Sequence, residues 1–260
     1  MQPFYFGTSQ KQLFGVYHAP DGKSARQSAI LLCQPLGHEY LRAHRAFRNL
    51  AVSLAGQGFH VLRFDYFGCG DSGGEQEQAT IEQCLSDLST AVEELKDTAG
   101  VPRVSLVGLR LGATMAALTA SRRQDIDRIV LWDPVLDGRQ YLDDLRELHD
   151  SWFRDRMGPA AAANPDRQEL LGFPLTETIV RQLAEATLTP LPVLRARAAW
   201  LMVSEEQTCY QPLHASLEAA KLPFTYNVVP GDGEWARLDL VHQTLLPHAM
   251  VRAITAAMTS

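Results

Sequence analysis

The residues that could do chemistry cluster in one run, Val104-Ser105-Leu106-Val107-Gly108-Leu109-Arg110-Leu111-Gly112-Ala113. An apolar, β-branched stretch runs into Gly108, Gly112 follows four positions later, and an apolar helical pattern begins. This is the strand–turn–helix grammar of a nucleophile elbow, G-x-S-x-G, which lifts its middle residue above the end of a strand. The turn is so tight that the flanking positions must lack bulk. A serine in the middle would attack a carbonyl; Arg110 stands there instead. A guanidinium stays protonated at physiological pH and has no lone pair to offer. Acyl transfer through this position is therefore not the chemistry on offer.

What Arg110 can do is hold an anion. It sits at a helix N-terminus, where backbone N–H groups already favour negative charge. The anion is either a carboxylate, phosphate or sulfate on a ligand, or a carboxylate of the chain that plugs the position. Asp133, at the carboxyl end of a strand read over 128–132, is placed to serve. Cys33 closes another strand, beside the loop Gln34-Pro35-Leu36-Gly37-His38-Glu39, whose His38 and Glu39 could meet a ligand. As an apolar thiol, Cys33 reads as packing before nucleophile. Asp71-Ser72 reads as a structural turn. Trp132, Trp152 and Phe173 read as core or pocket wall. Cys33, Cys69, Cys84 and Cys209 form no CxxC pair and no metal spacing. Buried reduced thiols are the expectation, with no metal site and no cofactor.

The elements that must position these groups alternate along the chain. Residues 4–7 and 12–18 read as a hairpin turning at Thr8-Ser9-Gln10. Strands follow at 29–33, 60–66, 104–109, 128–132, 198–203 and 224–229. Helices fall at 44–57, 80–95, 111 onward, 212–221 and 241–258, the last carrying His242 and His248 in packed or surface roles. This rhythm predicts an α/β protein with a doubly wound, mostly parallel sheet and an N-terminal antiparallel hairpin. The alternation stops over 138–192, which reads as a helical cap inserted at the carboxyl ends of the strands, where such sheets bind ligands. The expected organisation is a core of 1–137 and 193–260 with a 138–192 cap.

The chain of 260 residues is 46% hydrophobic and 21% charged, with a net charge of −6. That balance suits a globular protein and argues against a nucleic-acid partner. No leader pattern and no apolar run near 18 residues is present, so no membrane span and a cytoplasmic location are expected.

Taken together, Phe64-Asp65-Tyr66-Phe67-Gly68-Cys69-Gly70-Asp71-Ser72-Gly73-Gly74, the elbow and the late strand–loop–helix resemble the α/β-hydrolases of the serine aminopeptidase type. More narrowly, Gly68-Cys69-Gly70-Asp71-Ser72, Gly108-Leu109-Arg110-Leu111-Gly112-Ala113 and Leu131-Trp132-Asp133-Pro134-Val135 resemble hydrolase-like proteins found beside exosortase and exopolysaccharide systems. The resemblance implies an α/β-hydrolase fold whose catalytic histidine follows the last strand, where Glu234 stands here, and whose acid follows the 198–203 strand, near Glu206. Nucleophile and base are thus both replaced. Arg110 and Glu234 complement each other as cation and carboxylate, with Asp133 the second choice of partner. The positions of interest for catalysis are Arg110, Glu234, Asp133 and Glu206. The expected ligand contacts are Arg110, Leu36, His38, Leu111, Asp133 and Glu234.

Two functions stay open. One is a non-hydrolytic protein that binds a small-molecule or anionic ligand, or supports a protein partner in a biosynthetic or secretion system. The other is an atypical hydrolase or related enzyme acting on an ester, thioester or amide, either through a displaced nucleophile such as Cys33 or through proton transfer on a carbonyl compound by Arg110 and a carboxylate. A homodimer is compatible with either.

Overall fold

The computed structural model describes residues 1–21, 25–158, 168–231, 233, 235 and 247–260. Its elements are β1 (Gln2–Thr8), β2 (Lys11–His18), β3 (Ala29–Cys33), α1 (Gly37–Gly56), β4 (His60–Phe64) and α2 (Ile81–Ala99). Then come β5 (Val104–Leu109), α3 (Leu111–Arg122), β6 (Ile126–Trp132), α4 (Gly138–Met157), β7 (Glu169–Leu170), β8 (Phe173–Pro174) and α5 (Glu177–Glu185). The chain closes with β9 (Ala198–Val203), α6 (Gln211–Ala219), β10 (Phe224–Val228) and α7 (His248–Thr259).

Eight strands form one sheet in the order β1-β2-β4-β3-β5-β6-β9-β10. β1 pairs antiparallel with β2 and β2 with β4; every other neighbouring pair is parallel. The central strands are buried on both faces, so their sequences run continuously apolar. In β3 the side chains alternate between two cores: Leu31 and Cys33 face α2 and α3, while Ile30 and Leu32 face α1 and α7. α1 contributes Phe47, Leu50 and Leu54 to the second core and α7 contributes Met250 and Ile254. α2 and α3 contribute Leu88, Val92 and Met115 to the first.

The sequence-based boundaries shift where no local chemistry marks them: β4 stops at Phe64 and not at 66, β6 starts at Ile126 and not at 128, and the closing helix opens at His248 and not at 241; where a cap marks the start, the boundary holds. Thr80 caps α2, its hydroxyl accepting from the Gln83 amide at 3.2 Å. α1 departs from expectation: it begins at Gly37, so His38 and Glu39 lie in its first turn and not on a loop. Its N-cap, Leu36, makes no side-chain cap bond, so the usual polar start signal is missing. The hairpin turn is Ser9-Gln10 alone, with Thr8 in the strand. The 138–192 segment is also not purely helical, since β7 and β8 pair as a small antiparallel ribbon beside α4 and α5. Two of the four thiols, Cys33 and Cys84, are buried; Cys69 is half-buried and Cys209 exposed, and none is in a disulfide. Among the described residues no helix is long and apolar enough to cross a membrane.

Candidate functional site

The elbow is built from backbone outward. Arg110 has φ 53° and ψ −124°, a conformation that non-glycine residues rarely adopt. It persists because its surroundings over-determine it. The Arg110 amide donates to the Trp132 carbonyl at 2.9 Å, and its carbonyl accepts from the amides of Ala113 at 3.0 Å and Thr114 at 3.3 Å. The two glycines are demanded by close approach. A Cβ on Gly108 would lie 2.5 Å from the Ala113 Cα, and one on Gly112 2.2 Å from the Cys33 carbonyl oxygen. The sequence therefore keeps a nucleophile's backbone under a residue that cannot be one.

The guanidinium is held by α1 and α4. Arg110 Nε donates to Glu39 Oε1 at 2.9 Å and Nη1 to the Asp133 carbonyl at 3.3 Å. The other oxygen of Glu39 accepts from the Tyr141 hydroxyl at 2.9 Å, and the Tyr141 ring lies 5.7 Å from the guanidinium carbon. The Glu39 side chain is 0% exposed and that of Arg110 22%. Burial disfavours the arginine's charge, but the Glu39 carboxylate, with Tyr141 and Tyr210 beside it, holds its pKa above the ordinary value. Burial, then Glu39, likewise raises the Tyr141 phenol. The carboxylate partner of Arg110 among the described residues is thus Glu39. Glu234, the first choice from sequence, lies outside the described residues, as does His242.

Asp133 reaches Arg110 through its main chain only. Its carboxylate accepts from the Ser204 amide at 2.7 Å, the Ser204 hydroxyl at 2.6 Å and Trp235 Nε1 at 3.0 Å. This clasp ties the ends of β6 and β9 to the loop after β10. It leaves the carboxylate no role as the arginine's counter-ion. Trp235 is buried against Trp132, edge to face at 5.2 Å between ring centres. Glu206 is exposed, and no hydrogen bond ties it to the elbow among the described residues.

A cavity of about 430 Å³ lies beside this network, between the first turn of α1, the Tyr66–Gly70 turn, α4, the β7–β8 ribbon and α5. Leu36, His38 and Leu111 line it, as does Tyr141. Arg110 and Asp133 do not line it. The six expected ligand contacts are therefore divided: three on the cavity wall, two behind it, and Glu234 undescribed. Phe173 is wall, Trp132 is core and Trp152 is half-buried on α4.

The remaining candidates have structural settings. The Cys33 thiol is buried, and burial pushes its pKa far above the ordinary thiol range. The Ser72 hydroxyl donates to the Asp65 carbonyl at 2.6 Å and accepts from the Phe14 amide at 2.8 Å, stitching the Asp71-Ser72 turn to β2. His248 opens α7 on the surface. Among the described residues no group of three His, Cys, Asp or Glu side chains could hold a metal. Sequence reasoning missed Tyr141, Ser204 and Trp235. It could have found Glu39 as a partner by carrying the buried spacing of Phe47 and Ala43 one turn back along α1.

The eight-stranded order, the elbow after β5 and the segment inserted after β6 define an α/β-hydrolase fold. The profile described as serine aminopeptidase, S33, matches residues 30–217, and the chain belongs to that family. Among curated proteins none matches it. Among solved structures it is similar to DcsB in complex with its substrate analogue, at 18% identity and a TM-score of 0.68, covering 99% of this chain and 97% of that one. It is also similar to proline iminopeptidase from Mycobacterium smegmatis, at 14% identity and a TM-score of 0.64, covering 99% and 97%. Est1E from Butyrivibrio proteoclasticus gives 14% and 0.63, covering 99% and 96%. These likenesses speak to fold alone.

Proposed function

We propose that the chain is a non-hydrolytic member of its family that binds a small ligand under the 138–192 cap. In this reading the core is 1–137 with 193–260, the triad is degenerate, and the protein works in the cytoplasm. One observation carries it: a guanidinium occupies the elbow in the nucleophile's own backbone conformation, locked to Glu39 and capped by Tyr141. A cation so held neither attacks a carbonyl nor takes a proton.

The anion expected beside Arg110 is supplied in part by the chain itself. Glu39 offsets the guanidinium charge, and an anionic ligand would compete with it for what Arg110 still offers. Among the described residues that is Nη2, which has no hydrogen-bond partner there. An anion-binding pocket in this reading rests on that edge. An accessory role beside a biosynthetic or secretion system accords with the three short motifs that resemble the exosortase-associated proteins.

The alternative, an atypical hydrolase with a displaced nucleophile, draws on the cavity kept beside an intact elbow. The burial of Cys33 weighs against its sequence candidate. The test is exposure of the purified protein to a broad fluorophosphonate, with ester, thioester and amide panels run in parallel. No labelling and no turnover are expected. Stoichiometric modification of a serine near Arg110, or turnover abolished by iodoacetamide, would refute the non-hydrolytic reading.

A further inference from the structure

Arg63, near the end of β4, is 6% exposed and has no ion-pair partner among the described residues. It stands opposite Val16 of β2, and Val61, two residues back on the same face, stands opposite His18. Strand alternation puts Arg63 and His18 on the side of the sheet that α1 covers. Arg63 Nε donates to His18 Nε2 at 3.3 Å. Burial and the Arg63 charge keep that imidazole neutral near pH 7. It therefore orients the guanidinium without balancing its charge.

The one carboxylate whose charge bears on Arg63, among the described residues, is that of Asp65. Its oxygens are already engaged: Oδ1 accepts from the Tyr40 hydroxyl at 2.9 Å and Gln34 Nε2 at 3.2 Å, and Oδ2 from the Asp71 amide at 3.1 Å. Burial still holds the guanidinium below its ordinary pKa. A buried charge is costly unless it is paired. Arg63 Nη1 and Nη2 have no hydrogen-bond partner among the described residues and, unlike the Tyr66 hydroxyl, are not sealed from solvent. The fork is open to a group from outside.

Two donors from α1 stand beside it. His44 and Arg48 are exposed and one helical turn apart. The charge of Arg48 bears on Arg63, His18 and His44 alike. Neither His44 nor Arg48 has a hydrogen-bond or ion-pair partner among the described residues. In a chain of net charge −6, two guanidinium groups and an imidazole at one rim reverse the local sign. None of Arg63, Arg48, His44 and His18 lines the cavity under the cap.

We propose that the rim between α1 and the β2–β4 pair is a second anion site, separate from the elbow, that takes the phosphate group of a soluble phosphomonoester. Such a group carries a charge of about −1.5 to −2 and three acceptor oxygens. That suits the open fork of Arg63, the guanidinium of Arg48 and one N–H of His44 together. A carboxylate has one charge and two oxygens, which a single fork uses up. Arg63 lies below the rim, so a small soluble group reaches it where a flat membrane surface does not.

The experiment is calorimetric titration of the full chain at pH 7.5 and low ionic strength, where surface charge is least screened. Inorganic phosphate and glycerol 3-phosphate are expected to bind at least tenfold more tightly than acetate, and sulfate, with the same shape and charge, to compete with them. Arg48 is exposed, so Arg48→Ala leaves the fold intact and should weaken phosphate at least fivefold. Arg63→Met should weaken it at least tenfold, and Arg63→Lys, which keeps the charge but not the fork, should fall between. Acetate binding as tightly as phosphate, phosphate affinity unchanged in Arg48→Ala, or no binding of any probe would overturn the proposal. Phosphate affinity lost in Arg110→Met but kept in Arg48→Ala would place the anion at the elbow instead. Cosedimentation with phosphatidic acid vesicles, with glycerol 3-phosphate silent, would assign the rim to a membrane and overturn it too. None of these results bears on the cap ligand or on the covalent-labelling test, which stand or fall separately.

Discussion

Glu39→Leu leaves the Arg110 guanidinium without its carboxylate and the Tyr141 hydroxyl without its acceptor. Breaking one side of a buried ion pair costs about 3–5 kcal/mol. Glu39 is wholly buried, but Arg110 keeps 22% of its side chain in water, which puts the loss near the lower bound, ~3 kcal/mol. The orphaned Tyr141 hydroxyl adds ~1 kcal/mol. Arg110→Met strands the Glu39 carboxylate in the opposite sense and should cost ~3 kcal/mol. The double variant removes both charges and leaves the Tyr141 hydroxyl without its acceptor and the Asp133 carbonyl without its arginine donor, so it should cost ~1–2 kcal/mol, well below the sum of the singles. In a chain of this length 1 kcal/mol moves the melting temperature by about 2–4 °C. Arg110→Met should therefore melt roughly 6–12 °C and Glu39→Leu roughly 8–16 °C below wild type, and the double variant should recover most of that. Urea titrations at pH 7.5 supply the free energies. Costs that simply add, within ~0.5 kcal/mol, would show that the two side chains do not interact and would refute the network.

Three further outcomes follow from the structure. His18 is buried, and burial together with the neighbouring Arg63 lowers its pKa from 6.5 to about 4. Between these values the unfolded chain binds a proton that the native one refuses, so stability should be full above pH 6.5, fall toward pH 4, and level off below it. The loss is about 3 kcal/mol, and His18→Gln should flatten that part of a stability–pH curve by one proton. Gly112→Ala would press its methyl onto the Cys33 and Gln34 carbonyl oxygens, which are backbone and cannot turn aside. It should cost ~3 kcal/mol or more or prevent soluble expression, and a melt within ~1 kcal/mol of wild type would contradict the packing. Trp235→Phe keeps the ring packing on Trp132 but deletes the donor to Asp133, which should cost ~1.5–3 kcal/mol in denaturant titration. No change would show that the clasp at the end of β6 does not need it.

The sheet and the elbow were legible in the sequence because each is specified by neighbours along the chain. Strands buried on both faces read as apolar runs, and a turn this tight admits only glycine at Gly108 and Gly112 wherever the rest of the protein lies. That Arg110 cannot act as a nucleophile is a property of the guanidinium and needed no coordinates. Its partner did. Glu39 lies 71 positions before Arg110 and 102 before Tyr141, and the two helices that carry Glu39 and Tyr141 meet over the elbow only when the sheet is assembled. The polar cap that would have announced the start of α1 is missing, so Glu39 read as a loop residue that could meet a ligand and not as a buried partner of Arg110. The same holds for Asp133: its position at a strand end was readable, but β9 and the loop carrying Trp235 decide that its carboxylate faces Ser204 and not Arg110. The cavity is further still from local sequence. Its walls come from segments scattered between Pro35 and Leu183, and their apolar character along the chain is indistinguishable from that of the core. Only the packing of α4, α5 and the β7–β8 ribbon over α1 leaves a space among them, with no charged side chain among the described residues that line it.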